Sequence, residues 1–240
     1  MSGDDDFARW ASLEGVPSAL AAARDGVDVL LRDRGLRRTT ADLTAESLLR
    51  GAAASAELEG STVDLQMLRA GNADDIAMAA ARLNAGLLPL VPVVKRSPLQ
   101  AIARLHTVAA SGWVADEALG RPRPEPGLAD RLQQLSGALL ATTQAPAIAV
   151  AGLCHAEIAT LAPFETANGL VARAFERLVL VARGVDPTSM VVPEAGHLAL
   201  EASYRSALIA YGEGGPAGRQ AWLLHVAAAL TRGVEASPLA

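Results

Sequence analysis

Two short segments combine residue types that could do chemistry. The first, Leu161-Ala162-Pro163-Phe164-Glu165-Thr166-Ala167-Asn168-Gly169, joins two strongly apolar helical stretches, and small residues cluster where the second begins. Free backbone N–H groups at such a start favour an anion. Ala167 and Gly169 would let a phosphate come close to the main chain. Spacing alone fits a tight interhelical turn better. The second segment is Ser55-Ala56-Glu57-Leu58-Glu59-Gly60. Ser55 and Glu59 stand four apart and share a helix face. Glu59 falls in the last turn, where the helix dipole disfavours a carboxylate by roughly 0.3–1 kcal/mol, so a nearby cation would offset that cost.

Other candidates are weaker. His106, His155, His197 and His225 form no i,i+3 or i,i+4 pair, and no cysteine or carboxylate cluster has ligand spacing, so no metal site is expected. His155 lies on an apolar helix and reads as a satisfied core histidine. Gly212-Glu213-Gly214-Gly215-Pro216-Ala217 formally fits a dinucleotide fingerprint, but a helix precedes it and Pro216 occupies the turn, so it reads as a helix–helix connection. Cys154 is alone, which precludes an internal disulfide and is consistent with a reducing, cytoplasmic setting.

The elements that must position these groups read at helical period throughout, and the expected fold is all-α. Helices are expected at Pro17 to about Arg34, Ala41–Glu59 stopped by Gly60, Asp64–Arg69 and Asp74–Leu87. Pro89 and Pro92 then make a rigid connection. Ser97 with Pro98 opens the second half, whose first helix runs to about Ala110. The proline-rich stretch from Gly120 to Gly127 reads as an extended loop. Helices follow at Leu128–Thr142, Ala145–Leu161, Asn168–Arg183, Pro193–Tyr211 and Gly218–Gly233. The organisation is an N-terminal helical annex over 1–96, carrying the motif at 55–60, packed on a helical core over 97–240.

Composition sets the outer limits. Apolar residues make up 51% of 240, enough for a sizeable core, and aromatic residues only 3%, so that core is built from aliphatic side chains and alanine. The net charge of −5 argues against nucleic acid. The local run Arg32, Arg34, Arg37, Arg38 is interrupted by Asp33 and reads as a solvated helix end. The N-terminus is acidic where a signal peptide is basic, and Leu87–Val94 is too short for a bilayer, so no membrane is expected. A homo-oligomer is left open.

Taken together, the two segments resemble the Fic (filamentation induced by cAMP) family, helical enzymes that transfer AMP from ATP to protein hydroxyls. The family motif H-P-F-x-[DE]-G-N-G-R-x-x-R aligns without a gap on 162–173, with Pro163, Phe164, Asn168, Gly169 and Arg173 matching. Cys154-His155-Ala156-Glu157 upstream, Tyr204-Arg205-Ser206-Ala207-Leu208 and Trp222-Leu223 downstream, and Leu105-His106 with Gly120-Arg121 resemble its context. Ser55–Gly60 resembles its inhibitory motif [ST]-x-x-x-E-[GN]. The resemblance implies a Fic-like bundle whose annex carries the inhibitory helix, with ATP or another nucleotide bound at Asn168, Gly169 and Arg173 and regulation through Ser55, Glu59 and Gly60.

The departures fall on the chemistry. The family's catalytic histidine falls on Ala162, its acidic metal ligand on Thr166 and its first motif arginine on Leu170. Loss of a positioned base costs typically 10²–10⁴-fold, and loss of a preorganised electrostatic contact about 10²–10³-fold. His155, seven residues before Ala162, is about 10 Å away along a helix and cannot substitute. Glu165 is one residue out of register, and Thr166 offers Mg2+ a hydroxyl without charge. The interval from Arg121 to Gly127, where the family's target-positioning flap should lie, reads as a plain loop. The expectation is a pseudoenzyme that acts by binding a nucleotide or a protein, held by a bidentate Glu59–Arg173 ion pair between annex and core. The alternative is an enzyme with altered phosphoryl or nucleotidyl transfer using Glu165, Thr166 and Arg173.

Overall fold

The computed structural model describes residues 5–32 and 40–240. Thirteen α-helices occur among them: α1 (Asp6–Ala11), α2 (Val16–Leu30), α3 (Ala41–Leu58), α4 (Leu65–Arg69), α5 (Asp75–Ala85), α6 (Val91–Val94), α7 (Pro98–Ala110), α8 (Leu128–Leu140), α9 (Ala147–Leu161), α10 (Asn168–Ala182), α11 (Pro193–Ala199), α12 (Glu201–Glu213) and α13 (Gly215–Glu235). No strand is formed among the described residues; one isolated bridge joins Ser111 and Val114. The fold is all-α. Of the basic run, Arg34, Arg37 and Arg38 lie outside the described residues.

Local sequence explains where helices start. Asp5, Thr40, Asp64 and Asp74 each accept a backbone N–H three residues on, at the N-termini of α1, α3, α4 and α5. Asp5 also accepts from Thr143 Oγ1 and Gln144 N–H, fastening the start of the chain to the approach to α9. Helix α9 is apolar all round and buried from Ile148 to Ala156, as a central helix should be. It packs on α10 and α13. Gly152 lets α13 approach, because a Cβ there would stand 2.7 Å from Val226 Cγ2. Its carbonyl accepts the indole N–H of the fully buried Trp222.

Several expectations change in detail. Helix α1 was unforeseen. Pro89 and Pro92 lie in a 3-10 turn (Leu88–Leu90) and in α6, each in a first turn, where a missing N–H costs nothing. The single helix expected over Pro193–Tyr211 is broken at Leu200, whose N–H closes α11 on His197 O and whose carbonyl starts α12 by accepting from Tyr204 N–H. No proline or glycine marks that break. The turn at Gly212–Ala217 is a helix–helix connection, made at Gly214 with φ +88°. No single described helix is long and apolar enough to cross a membrane.

Candidate functional site: a closed interhelical loop above a buried polar chain

The loop between α9 and α10 is fixed from three sides. Helix α9 ends at Ala162 in the left-handed region (φ 42°, ψ 61°). Arg123, from the proline-rich loop, covers this end: its Nε donates to Ala162 O at 2.9 Å and its backbone N–H to Pro163 O at 2.8 Å. Phe164 is buried and stacks on His106, with centroids 3.9 Å apart and planes 7° apart. The His106 Nδ1 in turn accepts from Gly120 N–H, so the Leu105-His106 and Gly120-Arg121 segments meet at the loop. Asn168 bonds both main-chain groups of Phe164 (2.9 Å each), so its side chain ties the loop together. Ala167, again left-handed (φ 59°), opens α10.

None of the three positions expected to be degenerate carries a titratable side chain. Ala162 and Thr166 are half-buried, Leu170 is buried and Glu165 is exposed. The space beside Gly169 is filled by the protein itself. A Cβ on Gly169 would lie 2.1 Å from Glu59 Oε1, so the Glu59 carboxylate rests against the glycine backbone.

Glu59 and Arg173 do meet. Arg173 Nη2 donates to Glu59 Oε1 at 2.7 Å and to Ser55 O at 3.1 Å, while its Nε donates to Ser55 Oγ at 2.8 Å. The pair is not the bidentate fork expected, because Ser55 and Tyr204 take the remaining guanidinium donors. Burial works against the charge on Arg173, but Tyr204 and Glu59 outweigh it and raise its pKa. Gly60 (φ +92°) ends α3, and Arg205 Nη2 covers the carbonyl of Leu58.

Behind Arg173 the fold assembles groups that no local spacing announced. Arg173 Nη1 donates to the Tyr204 hydroxyl (3.1 Å), which lies 3.0 Å from His155 Nε2. His155 Nδ1 makes a short contact with Glu176 Oε2. The same oxygen is 2.8 Å from His197 Nε2, His197 Nδ1 is 3.0 Å from His225 Nε2, and His225 Nδ1 is 3.1 Å from the Ser203 hydroxyl. Burial lowers the pKa of His155 to about 4 and of His225 to about 3. Burial also opposes ionisation of Glu176, yet His197 and His155 hold its carboxyl well below the usual range. One proton arrangement satisfies every link: neutral His155 and His197 donate to an ionised Glu176 and accept from Tyr204 and His225. His155 is thus a satisfied core histidine, as expected, although its hydrogen-bond partners come from two other helices, α10 and α12. The sequence offered only faint signals: Glu176 lies three residues past Arg173, and Tyr204 sits in a segment noted for its context.

Solved structures show what this fold is similar to. A Fic family protein from Desulfovibrio desulfuricans G20 superposes with a TM-score of 0.73 at 16% identity, over 91% of this chain and 73% of that one. The chain has the Fic-domain fold. Fic-1 (residues 134–508) from C. elegans follows at 0.65 and 16%, over 92% and 72%. A Fic-domain-containing signaling protein from Bacteroides thetaiotaomicron VPI-5482 gives 0.61 and 13%, over 90% and 95%. No protein-family model matches the sequence, and no curated protein does.

Proposed function

We propose that this chain is a Fic-fold protein that no longer transfers nucleotide and acts by binding a nucleotide or a protein partner. The observation that carries the reading is the Glu59 carboxylate, held between the Gly169 backbone and the Arg173 guanidinium. It occupies the one anion-accepting place the loop retains. Around it Ala162 offers no base, Thr166 no charge and Leu170 no cation, so three electrostatic contributions to transfer are missing together. Asn168 and Arg123 are engaged in fixing the loop, which supports a preformed binding surface.

The test combines transfer with binding. With labelled ATP and a broad protein mixture, the wild-type chain should transfer no label. ATP or pyrophosphate should raise the unfolding temperature of Glu59→Ala, in which the anion place is free, more than that of the wild type. Robust transfer that disappears on altering Asn168 or Arg173 would overturn the reading in favour of altered phosphoryl or nucleotidyl chemistry. Absence of any nucleotide effect on Glu59→Ala would assign the binding role to a protein partner.

A further inference from the structure

His155 on α9, Glu176 on α10 and His197 on α11 point one ligand atom each at a common place in the core. One ring nitrogen of each histidine and a Glu176 carboxylate oxygen all lie within 4.8 Å of one another, and His155 Nδ1 and His197 Nε2 are the nitrogens that face Glu176 Oε2. We propose that these three side chains bind a divalent transition-metal ion, with zinc as the first candidate.

Two imidazoles and one carboxylate form a donor set suited to zinc or to iron(II), and the nitrogen–oxygen mixture disfavours calcium and magnesium. The place differs from the position at Thr166, where the loop motif would put an acidic ligand. Glu176 stands eight residues into α10 from Asn168, about 12 Å along the helix axis.

Three features beyond the donor set point to a cation. First, each histidine has its second ring nitrogen engaged: His155 Nε2 with the Tyr204 hydroxyl and His197 Nδ1 with His225 Nε2. This is the outer support that metal-bound histidines require to fix ring orientation and tautomer. His225 is itself supported by Ser203. Second, Glu176 is only 2% exposed, and its ion-pair partners among the described residues are the two histidines. The nearby arginines are committed elsewhere, Arg173 to Glu59 and Arg177 to Glu194. A carboxylate sealed from water without a full cation is costly, and a divalent ion would supply the missing charge. Third, Trp222 lies against both rings, edge-on to His155 (5.0 Å) and parallel to His197 (6.0 Å, 9°), which makes a dry, rigid wall.

The geometry needs a small adjustment. Without an ion, both nitrogens approach one carboxylate oxygen at hydrogen-bond range. Ligands of a tetrahedral zinc, at 2.0–2.1 Å from the metal, stand about 3.3 Å apart, so the carboxylate must draw back by about 1 Å or less from each nitrogen. Each imidazole stays neutral by carrying its proton on the far nitrogen, where the Tyr204 oxygen and His225 Nε2 can accept it.

The test uses the full chain produced in zinc-supplemented and, separately, cobalt-supplemented medium and purified without chelator. The expected result is about one metal ion per chain by elemental mass spectrometry, with the cobalt form showing the visible d–d absorption of a nitrogen- and oxygen-ligated site. Glu176→Gln keeps the shape and a hydrogen-bonding oxygen, and together with His197→Asn it should lower retained metal to below about a tenth of an equivalent. His106→Gln, remote from the cluster, should retain the full amount. Wild-type protein with less than about a tenth of an equivalent of either metal would overturn the proposal and leave a metal-free polar chain. Full retention by both Glu176→Gln and His197→Asn would also overturn it, placing the ion elsewhere.

Discussion

Helix α10 changes character within one turn. Over Asn168–Val171 it presents a loop-tying amide, a bare glycine and two apolar side chains, and the Glu59 carboxylate from the end of α3 rests against the glycine. From Arg173 onward it carries Arg173, Glu176 and Arg177, each at most 2% exposed: Arg173 is paired to Glu59 at the end of α3, Glu176 to α9 and α11, and Arg177 to α11. Arg173 marks the boundary, with Glu59 on its outer side and Tyr204 on its inner side. The buried charged groups of α10 are those that join it to α3, α9, α11 and α12. Their loss should therefore register in stability, whereas the outer turn can change at little cost.

The strongest break in that comparison is Arg177→Met. It removes the cation facing Glu194, which is 1% exposed on α11, and leaves a buried carboxylate with no compensating charge. The expected loss is about 3–5 kcal/mol in urea denaturation. Adding Glu194→Leu should recover much of it, because well-packed apolar residues can replace a buried pair. A loss below about 1 kcal/mol for Arg177→Met alone would mean that the inner half of α10 is no more essential than the outer half.

A sharper comparison comes from a double-mutant cycle at the boundary. Glu59 is one-third exposed, so removing its carboxylate should cost only about 1 kcal/mol despite the 2.7 Å contact with Arg173. Gly169→Ala places a methyl where the carboxylate lies, and the long Glu59 side chain can swing away. In the wild type the lost ion pair should cancel or exceed the helix-propensity gain. In the Glu59→Ala background the same change should stabilise by about 0.5–1 kcal/mol, the ordinary advantage of alanine over glycine within a helix. A coupling energy of about 1 kcal/mol is expected. Equal effects in both backgrounds would show that Glu59 does not occupy the glycine.

The same boundary separates what could be read in the sequence from what could not. The outer site was legible because its parts are contiguous: 162–173 is one loop and helix start, and Ser55 and Glu59 share one turn. Even their meeting across more than a hundred residues was expected, because the resemblance pairs the inhibitory glutamate with the motif's second arginine and both residues are present. The inner chain was illegible because its members are far apart in sequence, and three-dimensional proximity there comes from packing of α9, α10, α11, α12 and α13 rather than from periodicity. Spacing rules for metal ligands look within a turn or a short loop, and so reported no cluster among the histidines. The break at Leu200, which starts α12 and so places Tyr204 and Ser203, also left no proline or glycine to read.

The smallest expected effect lies at the outer end, where the loop holds two alanines in left-handed geometry, Ala162 at φ 42° and Ala167 at φ 59°. An L-residue there carries a penalty of roughly 1–2 kcal/mol, and glycine removes it while adding freedom to the unfolded chain. The two nearly cancel, so Ala162→Gly should stabilise by less than about 1 kcal/mol. The backbone contacts at this turn, from Arg123 to Ala162 O and from Ala162 N–H to Ile158 O, survive the change. A loss above about 1 kcal/mol would instead show that the half-buried methyl contributes packing there. That result would move Ala162 to the structural side of the comparison, as a residue that closes the loop as well as one that lacks a base.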